Sequence, residues 1–132
     1  MDKERNGMEA KRQDPLREQS LEFAVQIVAA ARRVREEHKE YALADQLLRS
    51  GTSIGAILSE AVYASSRPDF LSKHKIALKE CAETLYWLTL LQRCDLLPRT
   101  QARALWTSCT QLRLMISSVC KTLETTRKGT PS

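Results

Sequence analysis

The chain has 132 residues, enough for one domain with a modest core and too few for a catalytic domain beside a binding domain. At 42% hydrophobic and 28% charged it has a globular composition, while four glycines, four prolines and 5% aromatics leave little turn and strand material for an all-β sandwich. The formal net charge of +5 is unevenly placed, since residues 1–97 hold 15 basic and 15 acidic side chains and residues 98–132 hold six basic residues against Glu124 alone.

Residues 1–14 are polar and unpatterned, the expectation for a mobile tail. No run approaches the roughly 20 apolar residues that cross a bilayer, and Met1-Asp2-Lys3-Glu4-Arg5-Asn6-Gly7 lacks the apolar stretch of a secretory signal, so a cytoplasmic chain without membrane contact is expected. Asp14-Pro15 has the form of an N-cap followed by proline at the first helical position. A first helix is expected near 16–37, with Leu16, Ser20, Phe23, Ile27, Ala30 and Val34 at alternating spacings of three and four. The polar stretch Glu36-Glu37-His38-Lys39-Glu40 should break it. A second helix near 41–64 presents Leu43, Leu47, Ile54, Ile57, Leu58 and Ala61. Ser66-Arg67-Pro68-Asp69, with serine and an acid three apart, opens a third near 68–93 carrying Phe70, Ala77, Leu78, Cys81, Leu85, Leu88 and Leu91. Pro98 opens a fourth near 98–126, with Ala102, Leu105, Cys109, Leu112, Ile116, Val119 and Leu123 on one seam. Helices of this length on short connections fold back on one another, so the expected fold is all-α, an antiparallel up-down four-helix bundle over 15–127 with 128–132 as a C-terminal tail.

In the second helix Gly51 and Gly55 lie four apart and Ser59 continues the row. Glycine inside a helix costs about 1 kcal/mol relative to alanine, which close approach of another helix backbone would offset; the alternative is a pair of tolerated glycines on an exposed face. Gly51-Thr52-Ser53-Ile54-Gly55 lacks the Gly-Lys-Ser/Thr ending and the preceding strand of a phosphate loop. On another flank Gln46, Arg49, Ser53 and Glu60 project together, as do Ile76, Glu80, Glu83 and Trp87 of the third helix. Arg49 is therefore expected to meet Glu80 or Glu83. Two carboxylates three apart are compatible with acid-base chemistry, but no nucleophile, histidine or metal-ligand set converges on them, and structural ion pairing is the reading taken. Cys81, Cys94, Cys109 and Cys120 form no Cys-x-x-Cys pair and have only His38 and His74 as co-ligands, which points to buried free thiols and to no metal site or cofactor.

Gln46-Leu47-Leu48-Arg49-Ser50-Gly51-Thr52-Ser53-Ile54-Gly55-Ala56, Ser59-Glu60-Ala61, Asp69-Phe70, Lys75-Ile76-Ala77-Leu78-Lys79-Glu80 and Glu83-Thr84-Leu85-Tyr86-Trp87-Leu88 resemble a bacterial family of four-helix bundles. Its members were first noticed as proteins encoded by intervening sequences in large-subunit ribosomal RNA genes, and the same resemblance extends to the accessory variability determinant proteins of diversity-generating retroelements. The resemblance runs over about residues 16–126. Leu58 departs from it, standing where members often carry asparagine. The resemblance implies a homopentameric ring without catalytic activity and, in the retroelement branch, a basic surface for nucleic acid and a reverse transcriptase as partner. Neither branch is selected by these residues.

At roughly 100° per residue, Arg99, Arg103, Arg113, Lys121 and Lys128 fall within one sector of about 80° on the fourth helix, displaced about 110° from its core seam. Such a stripe would bind DNA or RNA through phosphates with little regard for sequence; the alternative is a solvated helix with incidental charge. Trp106 lies in the same sector, either to stack a base or as packing beside the seam. Thr107, Gln111, Met115, Ser118 and Thr122 form an uncharged sector. On the first helix Leu21, Val25 and Val28 make a second apolar row nearly opposite the core row, a candidate subunit interface with Arg32, Arg33 and Arg35 beyond it. A closed ring needs two complementary patches per subunit, for which the uncharged sector is the second candidate. These readings combine into a non-enzymatic nucleic-acid-binding accessory protein acting as a ring beside a reverse transcriptase, with a pure protein-interaction scaffold as the alternative.

Overall fold

The Asp14 carboxylate accepts the Leu16 N–H at 3.1 Å, and Pro15 takes the first helical position, where its missing N–H leaves no bond unmade. The computed structural model describes residues 14–129, with side chains through Thr126; the tail expected over 1–14 lies outside the described residues except for Asp14, as do 130–132. Among the described residues there are four helices and no strand: α1 (Pro15–His38), α2 (Tyr41–Ala61), α3 (Arg67–Arg93) and α4 (Arg99–Gly129).

Each boundary has a local cause. At the end of α1, Lys39 adopts a left-handed conformation (φ 54°) and returns its N–H to Arg35 O at 3.1 Å, so the chain reverses within two residues. The last turn of α2 tightens, with Tyr63 N–H donating to Glu60 O and Ala64 N–H to Ala61 O, which ends the helix at Ala61 instead of 64. Ser66 accepts the Asp69 N–H at 3.2 Å while Asp69 Oδ2 accepts the Ser65 N–H at 3.0 Å, a reciprocal cap that starts α3. Asp95 (φ 57°) turns the chain after α3, and Pro98 O accepts the Ala102 N–H at 2.9 Å to open α4. With no proline or glycine before Gly129, α4 runs past 126.

The helices pack in the cyclic order α1, α2, α3, α4, each touching only its two neighbours, and α1 and α4 close the ring of contacts most loosely. The six α1 seam positions are all buried, as are Leu47, Ile54, Leu58 and Ala61 of α2, Ala77, Cys81, Leu88 and Leu91 of α3, and Ala102, Leu105, Cys109, Leu112 and Ile116 of α4. Leu43, Ile57, Leu78, Leu85, Val119 and Leu123 are half-buried against this core, and Phe70, in the first turn of α3, is half-buried on the His74 ring. Each fully buried Ile or Leu contributes about 1.5–3 kcal/mol.

Gly51 shows why α2 tolerates glycine: a Cβ there would stand 2.7 Å from Cγ1 and Cγ2 of Ile27. At Gly55 a Cβ would lie 3.3 Å from Ser20 O and Oγ. Close approach of α1 to α2 along the small row therefore holds for both glycines, while Ser59 is exposed.

Candidate nucleic-acid interface

Arg99, Arg103, Arg113 and Lys121 are all exposed, and none has a carboxylate within ion-pair distance among the described residues. Because α4 is regular and buries Leu105, Leu112 and Ile116 against the bundle, a sector about 110° away is held out to solvent. Lys128 lies beyond the described side chains. Glu124 falls in the same sector and is neutralised by Lys75 of α3 at 2.8 Å.

The neighbouring helix widens the stripe. Lys75, Lys79, Thr89 and Arg93 occupy a sector of about 80° on α3, and all are exposed. Thr89 lines the same cleft as Arg99 and Arg103, and Lys75 reaches Glu124 at the other end, so this row runs beside the α4 stripe along its length. Sequence reading missed these residues: their spacing was available, but not the fact that this sector of α3 adjoins the basic sector of α4.

Where the two rows meet, a cleft of about 360 Å³ opens between α3 and α4, lined by Leu88, Thr89, Gln92, Arg99, Ala102, Arg103 and Trp106. Trp106 is 45% exposed, and its indole N–H has no hydrogen-bond partner among the described residues.

On the opposite flank of α3, Arg49 of α2 lies between two carboxylates. Its Nη1 is 3.5 Å from Glu80 Oε2, and its Nη2 donates to Glu83 Oε2. Glu83 also accepts the Trp87 indole N–H at 3.0 Å. Beneath this surface group the hydroxyls of Ser50 and Thr84, both buried, share a hydrogen bond of 3.0 Å, while Thr84 donates to Glu80 O at 2.7 Å. The carboxylates are thus occupied by basic and N–H partners, with no cysteine or histidine among them.

The cysteines divide by position. Cys81, Cys109 and Cys120 are buried, but Cys94, the C-cap of α3, is exposed and departs from the expectation of buried thiols. The hydrogen bond with Cys81, then burial, then the field of Cys81 push the Cys109 thiol far above its ordinary range, against a small opposing effect of Arg113. Burial, followed by the Glu124 charge, raises Cys120 as well. No cluster of three or more His, Cys, Asp or Glu that could hold a metal ion exists among the described residues.

Leu21, Val25 and Val28 stand on the outer face of α1 at 62%, 57% and 37% exposure. Leu21 borders a cleft of about 390 Å³ between α1 and α2, whose walls include Ala24, Thr52, Gly55, Ala56 and Ser59. On α4, Thr107, Gln111, Ser118 and Thr122 are exposed, Met115 is half-buried against the core, and Leu114 beside them is 56% exposed. Of the arginines beyond the α1 row, Arg33 bonds Glu37 and Gln101, each at 3.2 Å, and Arg35 bonds Asp45 at 2.6 Å. No helix among the described residues is long and apolar enough to cross a membrane.

A solved structure similar to this chain is that of a protein of unknown function from the S23 ribosomal protein family of Bacteroides thetaiotaomicron. It is 44% identical, with a TM-score of 0.79 over 80% of this chain and 98% of that one. No curated protein matches the chain. The family model described as 23S rRNA-intervening sequence protein matches residues 15–118, from the first residue of α1 through two-thirds of α4. The match thus reaches all four helices, and the chain belongs to the 23S rRNA-intervening sequence protein family.

Proposed function

We propose that the protein is a non-enzymatic nucleic-acid-binding accessory protein that works in the cytoplasm as a homo-oligomeric ring. The support is the one-sidedness of its charge. On α1 and α2 the arginines are interleaved with acids, as in Arg33 with Glu37 and Arg35 with Asp45, whereas the α3–α4 face exposes a run of basic side chains whose one acid, Glu124, is already neutralised. A phosphate backbone meeting this face releases counterions, and the regular spacing along a helix fixes orientation without reading bases. The exposed Leu21–Val25–Val28 row supports self-association, and a ring multiplies the basic face by its number of subunits, so weak single contacts sum through avidity. Five subunits, and a reverse transcriptase of a diversity-generating retroelement as partner, are what the family resemblance implies, and they rest on it alone.

The alternative is a protein-interaction scaffold of the ribosomal-intervening-sequence type, in which the basic face is incidental. Fluorescence titration of short labelled duplex and single-stranded oligonucleotides against the wild type and Arg103→Glu/Arg113→Glu separates the two. Nucleic-acid binding should fall steeply with salt, with a log-log slope near −0.9 per duplex phosphate neutralised, and should be lost in the double variant while circular dichroism stays unchanged. Equal binding by both proteins would place the contact elsewhere, and no binding by the wild type at low salt would leave the scaffold.

A further inference from the structure

We infer that the cleft between α3 and α4 is a seat for one unpaired base of a single-stranded nucleic acid, stacked on Trp106 while Arg99 and Arg103 hold the adjoining phosphates. The inference rests on the nucleic-acid reading above and specifies which form of nucleic acid this face takes.

Four features converge. The cleft volume of about 360 Å³ falls in the range, from roughly 300 Å³ upward, in which sites for small flat molecules begin. Its floor is apolar, made by the buried Leu88 and Ala102, and Trp106 stands at its edge with nearly half its surface exposed and its N–H unpartnered among the described residues. One and two helical turns from Trp106, Arg103 and Arg99 are spaced four apart, about 6 Å along the axis, with no carboxylate to neutralise them among the described residues. On the far wall the Gln92 amide has no hydrogen-bond partner among the described residues and can meet the polar edge of a base. A tryptophan needed only for packing would turn its ring inward; this one lines a cleft rimmed by cations. Duplex bases are stacked on each other and cannot enter, whereas any unpaired base offers a π face, so the seat selects single strands without selecting sequence.

The test compares a fluorescein-labelled 12-nucleotide single strand with an abasic strand of the same length and charge, titrated at low salt against the full chain. The wild type should hold the base-bearing strand on the order of tenfold tighter, the effect of one stacked base. Trp106→Ala should erase that difference and leave the abasic affinity unchanged, while Arg103→Glu should weaken both strands. In Trp87→Phe, where Trp106 is the remaining indole, base-bearing strands should quench tryptophan fluorescence and abasic strands should not. This last readout needs no change at Trp106. Equal wild-type affinity for the two strands, or absence of quenching, overturns the seat and leaves phosphate binding by the basic face intact. Failure of the wild type to bind either strand at low salt overturns both.

Discussion

Gly51 of α2 lies against Ile27 of α1 so closely that a Cβ on the glycine would stand 2.7 Å from both Cγ atoms of the isoleucine. Ile27 is fully buried and branched at Cβ, so it has no free rotamer into which to retreat. Alanine at 51 would gain about 1 kcal/mol of helix propensity. It would also force overpacking of a filled core, which costs typically 1–3 kcal/mol, more when, as here, the contact is so short. Gly51→Ala should therefore lower stability by about 1–2 kcal/mol in denaturant titration. Gly55→Ala meets Ser20 at 3.3 Å and should remain within about 1 kcal/mol of wild type. Equal effects at the two positions would show that helix propensity, and not the approach of α1, governs this row.

Arg49 sets a second expectation. Its side chain is 49% exposed, against 19% for Glu80 and 36% for Glu83, so water screens the guanidinium even where one carboxylate is mostly covered. A buried pair broken on one side costs 3–5 kcal/mol, and an exposed one under about 1. Arg49→Ala should accordingly cost about 1 kcal/mol, and less in molar salt, since Glu83 keeps the Trp87 N–H and Glu80 retains access to solvent. A loss of 3 kcal/mol or more in thermal or chemical melts would mean that the carboxylates are stranded without Arg49.

The fold was legible because each helix repeats one seam. Spacings of three and four name the buried face of α1 without any knowledge of what covers it, and prolines 15, 68 and 98 mark helix starts, the first two capped by the side chains of Asp14 and Ser66 and the third opened by the Pro98 carbonyl. The basic sector of α4 was legible for the same reason, being a property of one helix. What could not be read was adjacency. Lys79 and Arg93 join the face only because α3 stands beside α4, and Trp106 lines a cleft only because Thr89 and Gln92 form its other wall. Buried Ser50 and Thr84 also escape a hydropathy pattern, which assigns hydroxyls to the surface; here each has a backbone carbonyl of its own helix within reach, at Leu47 and Glu80, and they bond each other across the α2–α3 seam.

The thiols give a prediction with a sign. Cys94 should react rapidly with a chromogenic disulfide in the native protein, whereas Cys81 and Cys109 should react only on unfolding. Because the Cys109 pKa is raised, the native state keeps a proton that the unfolded chain releases above its ordinary thiol pKa of about 8.5. The native state then binds more protons than the unfolded state, so the contribution of Cys109 to stability is constant below that pH and declines above it. The slope approaches 1.4 kcal/mol per pH unit. Chemical denaturation between pH 7.5 and 10 should show wild type losing stability faster than Cys109→Ala by about this slope. Parallel curves would mean that the Cys109 thiolate is tolerated in the fold.

Assembly is the prediction on which the ring depends. Leu21, Val25 and Val28 put three aliphatic side chains on the solvent side of α1, beside a cleft that Gly55 and the small residues Ala24 and Ala56 leave open next to Leu21. In a monomer this apolar area stays wet; against a second subunit each well-covered side chain would contribute about 1.5–3 kcal/mol. A surface meeting its own copy head to tail needs a different patch opposite it, and the exposed Leu114 beside Thr107, Gln111, Ser118 and Thr122 on α4 supplies an uncharged one free of the basic stripe. Light scattering of the wild type at micromolar concentration should give a multiple of 15.0 kDa, five-fold if the family resemblance holds in detail. Val25→Asp places a charge at the middle of the row without touching the core seam, and should dissociate the assembly while leaving the helical circular dichroism intact. Because avidity is lost with the ring, the same variant should bind oligonucleotides at least tenfold more weakly at moderate salt, although every basic residue of α3 and α4 is still present. A 15.0 kDa wild-type particle would remove the ring, and a Val25→Asp protein that stays assembled would move the interface off this face of α1.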